Sequence, residues 1–239
     1  MYFKLITVLL CCMTLCTVSG QNYTNSNLDI FNQVHLATGL TYNNNPIETY
    51  DGSPYMNDNF LEGKIYLNDS LVEQRVLLRH NIYTDDMEVK APFRGDTKEK
   101  YSALFKDESV SAEILFQKYQ YFPNFDNESN GARGAYLIII NKGAPYTLLQ
   151  KNDVIFRPEI VAKTPYDEER DAFFEQIKTY YLLNTDGTMT AAPTSKSKWF
   201  RLFENHKSDL KKFFKQNDIN FDEKQDVTKL VNFINQLTK

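Results

Sequence analysis

The side chains best suited to nucleophilic or metal chemistry are few in this chain, and badly spaced for it. The three histidines, His35, His80 and His206, lie far apart, and none has a second histidine at metal-ligand spacing. All three cysteines, Cys11, Cys12 and Cys16, fall in the first twenty residues. Two acidic groups stand out. Asp85, Asp86 and Glu88 sit at an expected hairpin tip, and Asp126, Asn127 and Glu128 share an expected loop with Asn124. Oxygen ligands of this kind hold calcium loosely, yet neither group has the spaced acids and closing Glu of a calcium loop. Asp and Asn also favour turns for local reasons, which is the preferred reading of both. Asp167-Glu-Glu-Arg-Asp171 reads as a solvated charged segment. A glycosidase needs two carboxylates ~5–9 Å apart across a cleft, a separation no sequence shows. No Gly-x-Ser-x-Gly elbow occurs, and Gly131-Ala-Arg-Gly134 fits neither nucleotide fingerprint. No residue is therefore assigned a catalytic, cofactor-binding or metal-binding role, and no cofactor is expected.

Aromatic residues offer a different chemistry. Tyr119, Tyr121 and Phe122 lie close together, and Tyr180-Tyr181 form a pair. Exposed rings beside polar loops stack on sugars or peptides. In a strand, however, neighbouring side chains point to opposite faces, so at least one of each adjacent pair is expected inside.

The cysteine-bearing segment indicates where such chemistry would operate. Lys4 supplies a short charged start, Leu5 to Cys16 is apolar, and Thr17-Val-Ser-Gly20 ends in a small residue. These are the parts of a secretion signal, residues 1–20, cleaved to leave Gln21 first. The apolar run is well short of the ~20 residues of a spanning helix. A lipid anchor fits poorly, because neither Cys12 nor Cys16 follows small residues. The exported chain would hold no thiol, so packing rather than disulfides must stabilise it. Seventeen Phe and fifteen Tyr supply bulky core material. The net charge of −4 becomes −5 once Lys4 is lost, which argues against a general nucleic-acid binder. Sequons stand at Asn22, Asn68 and Asn127.

The elements that would position these residues are mostly strands. Residues 21–51, rich in Asn, Thr and Gln, read as an extended, partly mobile lead-in, and residues 52–188 as an antiparallel β domain. Leu61 to Leu67 and Leu71 to His80 form a hairpin across Asn68-Asp-Ser70, with Val72, Val76 and Leu78 inward. Met87 and Val89 alternate with Glu88 and Lys90, which predicts one buried and one wet face. Ser111 to Tyr121 alternates imperfectly, and Phe122 to Gly134 reads as a polar loop. Tyr136 to Ile140 pairs with Tyr146 to Leu149, Asn152-Asp153 turns the chain, and Phe173 to Leu183 ends as a strand. Residues 189–195 read as a linker and 196–239 as three short helices. These begin near 196, 206 and 222, the last capped by Asp222 with Gln225 completing a box. Val227, Leu230, Val231, Ile234 and Leu237 make one apolar stripe. Lys207, Lys211, Lys212 and Lys215 give the second helix a solvated basic face. The fold class is mainly β, an antiparallel sandwich or open barrel, with a small C-terminal α-helical segment.

Two stretches carry a family resemblance. Gly52-Ser-Pro-Tyr-Met-Asn-Asp-Asn-Phe60, with Gly63-Lys-Ile-Tyr66, Leu78-Arg-His-Asn-Ile-Tyr83 and Met87-Glu-Val89, resembles the front of uncharacterised exported, signal-peptide-bearing proteins of Bacteroidetes. Leu202-Phe-Glu-Asn-His-Lys-Ser-Asp-Leu210, with Phe214-Lys-Gln-Asn217, resembles their usual ending. The resemblance implies a periplasmic, surface or secreted protein with a β-rich body, and implies no activity. The expected function is a non-enzymatic envelope protein that binds another protein or a small ligand, with no nucleic acid and no membrane span after cleavage. The alternatives are a secreted hydrolase working through dispersed carboxylates, or a structural component of a surface assembly.

Overall fold

The structure is a computed structural model that describes residues 51–90, 101–126, 133–162, 164 and 168–238. The signal peptide, almost all of the lead-in, His35 and the sequons at Asn22 and Asn127 lie outside them. Ten strands follow in order: β1 (Leu61–Leu67), β2 (Ser70–Asn81), β3 (Asp86–Lys90), β4 (Ser102–Ala103), β5 (Val110–Ile114), β6 (Gln117–Asp126), β7 (Arg133–Asn141), β8 (Tyr146–Arg157), β9 (Phe173–Asn184) and β10 (Met189–Ala191). All pair antiparallel in one sheet, ordered β10-β9-β8-β7-β6-β5-β1-β2-β3-β4. Three helices end the chain: α1 (Lys196–Leu202), α2 (Lys207–Gln216) and α3 (Lys224–Leu237).

The sheet is strongly curled. β7 and β3 stand five places apart in it. In a flat sheet that is ~24 Å, at ~4.8 Å per strand. Yet Asp85, in the turn before β3, accepts a hydrogen bond from the Tyr136 N–H of β7 at 3.0 Å. Tyr136 also donates its hydroxyl to the Phe105 carbonyl, just past β4, at 3.1 Å. Residues 51–56 then close the ring at one end. Asp51 bridges Phe173 at the start of β9, and Tyr55 bridges Asn81 at the end of β2. Gly52 allows this approach: its φ is +78°, and a Cβ there would lie 2.5 Å from the Phe174 carbonyl oxygen. One curled sheet with a strap is the open barrel of the two expected architectures, not the sandwich.

The interior is apolar and aromatic. Ile65, Val76, Leu78, Met87, Ile114, Tyr119, Tyr136 and Ile138 pack there. Val72, Val76 and Leu78 are all buried, and Val76 and Leu78 belong to this interior cluster. Where the barrel opens along β8 and β9, the helices cover its inner face. Trp199, Leu210, Phe213, Leu230 and Ile234 pack on Leu148, Tyr180 and Leu182. A helix this short needs such packing to persist in water.

Several elements differ from expectation, each for a local reason. Ser111 to Tyr121 is a hairpin, because Leu115 and Phe116 turn the chain with φ of 49° and 64°. Neither residue type signals a turn. The stretch expected as a polar loop is strand at both ends, since β6 runs on to Asp126 and β7 begins at Arg133. Asn152 and Asp153 do not turn the chain; they lie inside β8, where pairing along the whole of β9 overrides their turn preference. Residues 189–191 form β10 rather than opening a linker. Helix α3 has Glu223, not Asp222, at its N-cap and no side-chain cap bond. Asp226 instead accepts from the Asn220 N–H at 2.9 Å. Glu88 is buried although it faces away from the interior, because the strap covers that side.

Burial of the tyrosines has a consequence in alkali. Desolvation pushes the hydroxyls of Tyr119 and Tyr180 from the ordinary 10 up to about 12. Burial, and next the nearby Asp85 carboxylate, pushes Tyr136 well above 10. The folded chain therefore holds protons between pH 10 and 12 that the unfolded chain has released. That stability is fully present below pH 10 and falls as the pH rises. Ultraviolet titration of tyrosinate should show these three ionising only as the protein unfolds, and stability dropping monotonically above pH 10. Full ionisation of all tyrosines near 10 in a still-folded protein would contradict this packing.

Candidate functional site

The residues flagged by chemical type separate into sealed, exposed and undescribed groups. His80 and Asp85 meet: His80 Nε2 lies 3.2 Å from Asp85 Oδ1. Both side chains are nearly inaccessible, at 2% and 7% exposure, so the pair cannot meet a substrate. The rings of Tyr119 and Tyr136 pack edge-on to His80 at 5.5 and 5.9 Å. Asp86 pairs with Lys106 at 3.0 Å, and Glu88 pairs with Arg79 at 2.7 Å. The three acids of that cluster thus serve three separate structural contacts. His206 ends a short 3-10 turn ahead of α2. Asn127 and Glu128 of the second cluster, and Asp167, lie outside the described residues. Among the described residues, no group of three or more His, Cys, Asp or Glu side chains could hold a metal ion.

Arg79 organises residues 55–60. Its guanidinium lies 3.8 Å from the Tyr55 ring centre and 4.4 Å from that of Phe60, while Nε and Nη2 hold Glu88. Nη1 donates to the Asp58 carbonyl at 2.9 Å. Residues 55–60 are therefore a clamp over the outside of β2 and β3.

The open site is on the barrel's outer face, over β6 to β10. The pair Tyr180-Tyr181 splits as strand geometry requires: Tyr180 goes under the helices and Tyr181 points outward. Tyr119 and Tyr121 enter the interior while Phe122 joins the outer cluster. A register shift between Phe122 and Asp126 bends the end of β6 over its neighbours. That bend places Phe125 edge-on to Tyr181, with ring centres 5.0 Å apart across β7 and β8. Phe125 lies over Lys151, both are buried, and Lys151 is paired with Asp153.

Two recesses result. One of about 710 Å³ is lined by Phe122, Phe125, Tyr181, Leu183 and Met189, with Glu108, Asp126 and Asp153 as its charged groups. The other, of about 590 Å³, includes Ile139, Lys142, Thr147 and Leu149. They share Phe122 and Leu183, and so run together as one trough. Each is of the size that holds a small ligand or a few side chains. Among the described residues the larger recess is lined by acids and no Lys or Arg, with Asp153 paired to Lys151 beneath it, and Lys142 lines the other recess. Of these residues, Phe122, Asn124, Asp126 and Tyr181 carried a signal in the sequence. Phe125, Lys151, Leu183 and Met189 carried none, because only the β6 bend brings them together. No protein-family model, curated protein or solved structure matches the chain.

The sealed pair makes a sharp stability test. Asp85→Ala strands the buried Tyr136 N–H and leaves His80 without its partner, and should cost about 2–4 kcal/mol. Asp85→Asn keeps one acceptor and the tolerance for a φ of 55°, and should cost less than half as much. Chemical denaturation measures both. Equal, negligible losses would mean that the carboxylate does not hold the curl.

Proposed function

We propose that the protein is an exported, non-enzymatic binding protein of the cell envelope, and that it binds through the outer trough. The observation that carries this reading is the trough itself: an open apolar and aromatic recess of about 710 Å³ with acids at its margin and the chain's His–Asp pair walled off elsewhere. Export rests on the opening apolar segment. Binding rests on the contrast between the two sides of the sheet. The interior is filled by side chains and helices, so an occupant has access only from outside.

The trough's chemistry defines its ligand class. Its walls fit apolar or aromatic groups, and Glu108 and Asp126 add a preference for positive charge. The aromatic walls offer stacking faces as well as area. The hydrolase alternative draws no support from the sealed His80–Asp85 pair.

A neutral fluorescent probe such as N-phenylnaphthylamine tests the site directly. The probe should bind the wild-type protein at one main site. Leu183→Arg should weaken binding at least about tenfold, equivalent to losing roughly 55 Å² of apolar contact. A cationic derivative should bind more tightly than an anionic one, with the difference shrinking as salt is raised. Unchanged binding in the Leu183→Arg protein, or no binding at all, would refute the trough as the site.

A further inference from the structure

A second exposed feature lies at the opposite end of β6. The β5–β6 hairpin turns through two residues, Leu115 and Phe116, with Ile114 paired to Gln117. Both have left-handed backbone, φ 49° and 64°, and both are exposed, at 62% and 96%. Two-residue turns of this kind favour Asn, Asp and Gly, which tolerate positive φ. The β1–β2 hairpin uses them: Asn68 and Asp69 turn it with φ of 49° and 60°. The same fold thus solves the same turn twice, once with suitable residues and once with two bulky apolar ones. Leu115 and Phe116 add strain and exposed apolar surface without serving the hairpin. Arg75, beside this tip, is a third left-handed residue, φ 66°, at a bulge of β2. It shares a small recess with Leu115, Phe116, Glu62, Lys64 and Glu113. Strained backbone gathered at one surface site points to a use for that site.

We propose that the Leu115–Phe116 tip of one copy inserts into the outer trough of the next, so that the protein assembles head to tail. The inference rests on the trough being a binding site, and names its occupant as a second copy of this chain. Three observations meet in it. The tip is an apolar knob of two side chains, and the trough is an apolar socket with room for them. Charge permits the contact: around the knob Arg75 and Lys64 balance Glu62 and Glu113, while at the larger recess Asp153 is already paired with Lys151 and Glu108 and Asp126 are the acids left to face Arg75. Position makes the contact intermolecular. Knob and socket wall lie at the two ends of β6, where Phe116 and Phe125 are nine residues apart, roughly 30 Å at ~3.3 Å per residue. A knob cannot reach its own socket. An interface between two different patches repeats, giving an open chain or a ring rather than a closed pair. A two-residue knob buries little area, so the association is weak and depends on concentration.

Sedimentation velocity of the full exported chain over a concentration series tests this. The wild-type average mass should rise with concentration and pass beyond dimer. Leu115→Asn with Phe116→Gly restores favourable turn residues, so that protein should fold at least as stably and stay monomeric. Leu183→Arg should also stay monomeric. An equimolar mixture of the two should form dimers and stop there, because each supplies one intact half. Wild type that keeps a single mass across the series, or association that survives the turn substitution, overturns the proposal. The neutral probe separates the two readings: a monomeric wild type whose trough takes the probe assigns the trough to another occupant, a foreign peptide or an apolar small molecule. A trough that takes no probe removes both.

Discussion

The Asp85 carboxylate is the contact on which the barrel's shape depends. A ten-stranded antiparallel sheet has no intrinsic reason to bring its third and seventh strands together beyond ordinary twist. Asp85 does so with two oxygens, one on His80 and one on the Tyr136 N–H. Removing a carboxylate from water costs several kcal/mol, so its hydrogen bonds must be good to offset that cost. The left-handed φ of 55° at Asp85 aims the side chain inward, a conformation Asp tolerates better than most residues. Once this contact forms, Tyr119, Tyr121 and Tyr136 share a common interior, and His80 is walled in by the rings of Tyr119 and Tyr136. A histidine beside an aspartate looks catalytic in a list of residues. Here the same pair is the fastening of the curl.

The strap completes what Asp85 begins. Its two bridges, to β9 and to β2, span the mouth that the curl leaves open. It is held from outside by a stacked arginine rather than by a covalent link, and no cysteine occurs after Cys16. Arg79 contributes in several ways at once: charge to Glu88, ring contacts to Tyr55 and Phe60, and a donor to the Asp58 carbonyl. Lysine could not replace it, since only a planar guanidinium stacks and bonds in two directions together. The helices provide the remaining closure, covering the inner face where the sheet does not meet itself.

What could be read from the sequence follows from which interactions are local. The β1–β2 hairpin was legible because Asn68 and Asp69 are turn formers and the flanking residues alternate. The β5–β6 hairpin was not, because Leu115 and Phe116 deny the turn they make. Asn152-Asp153 misled in the opposite sense: turn chemistry is present, but twelve paired positions with β9 hold the backbone extended. The apolar stripes of the helices were legible, whereas the cap of α3 was not, since Asp226 reaches back to Asn220 instead of Asp222 capping forward. The trough was half legible. Period-two geometry split Tyr180 from Tyr181 in advance, but the β6 bend that sets Phe125 over Lys151 leaves no local mark.

The two sides of the sheet differ in a way that bears on function. β7 is buried on both: Tyr136 and Ile138 inside, Ala135 and Leu137 outside. A strand of this kind needs cover on each face. Inside, the cover is complete. Outside, among the described residues, Phe125 arches over part of the surface, and Tyr181, Leu183 and Met189 are only partly buried. Extending the arch by a few apolar residues would finish the layer and stabilise the monomer at ~25 cal/mol per Å² covered. The chain instead places apolar residues at the far end of the same strand, on a turn that penalises them by about 1 kcal/mol or more each. Monomer stability accounts for neither choice. Both follow if the missing part of the outer layer is supplied by another molecule, and the exposed pair at the other end of β6 has the size and chemistry to supply it.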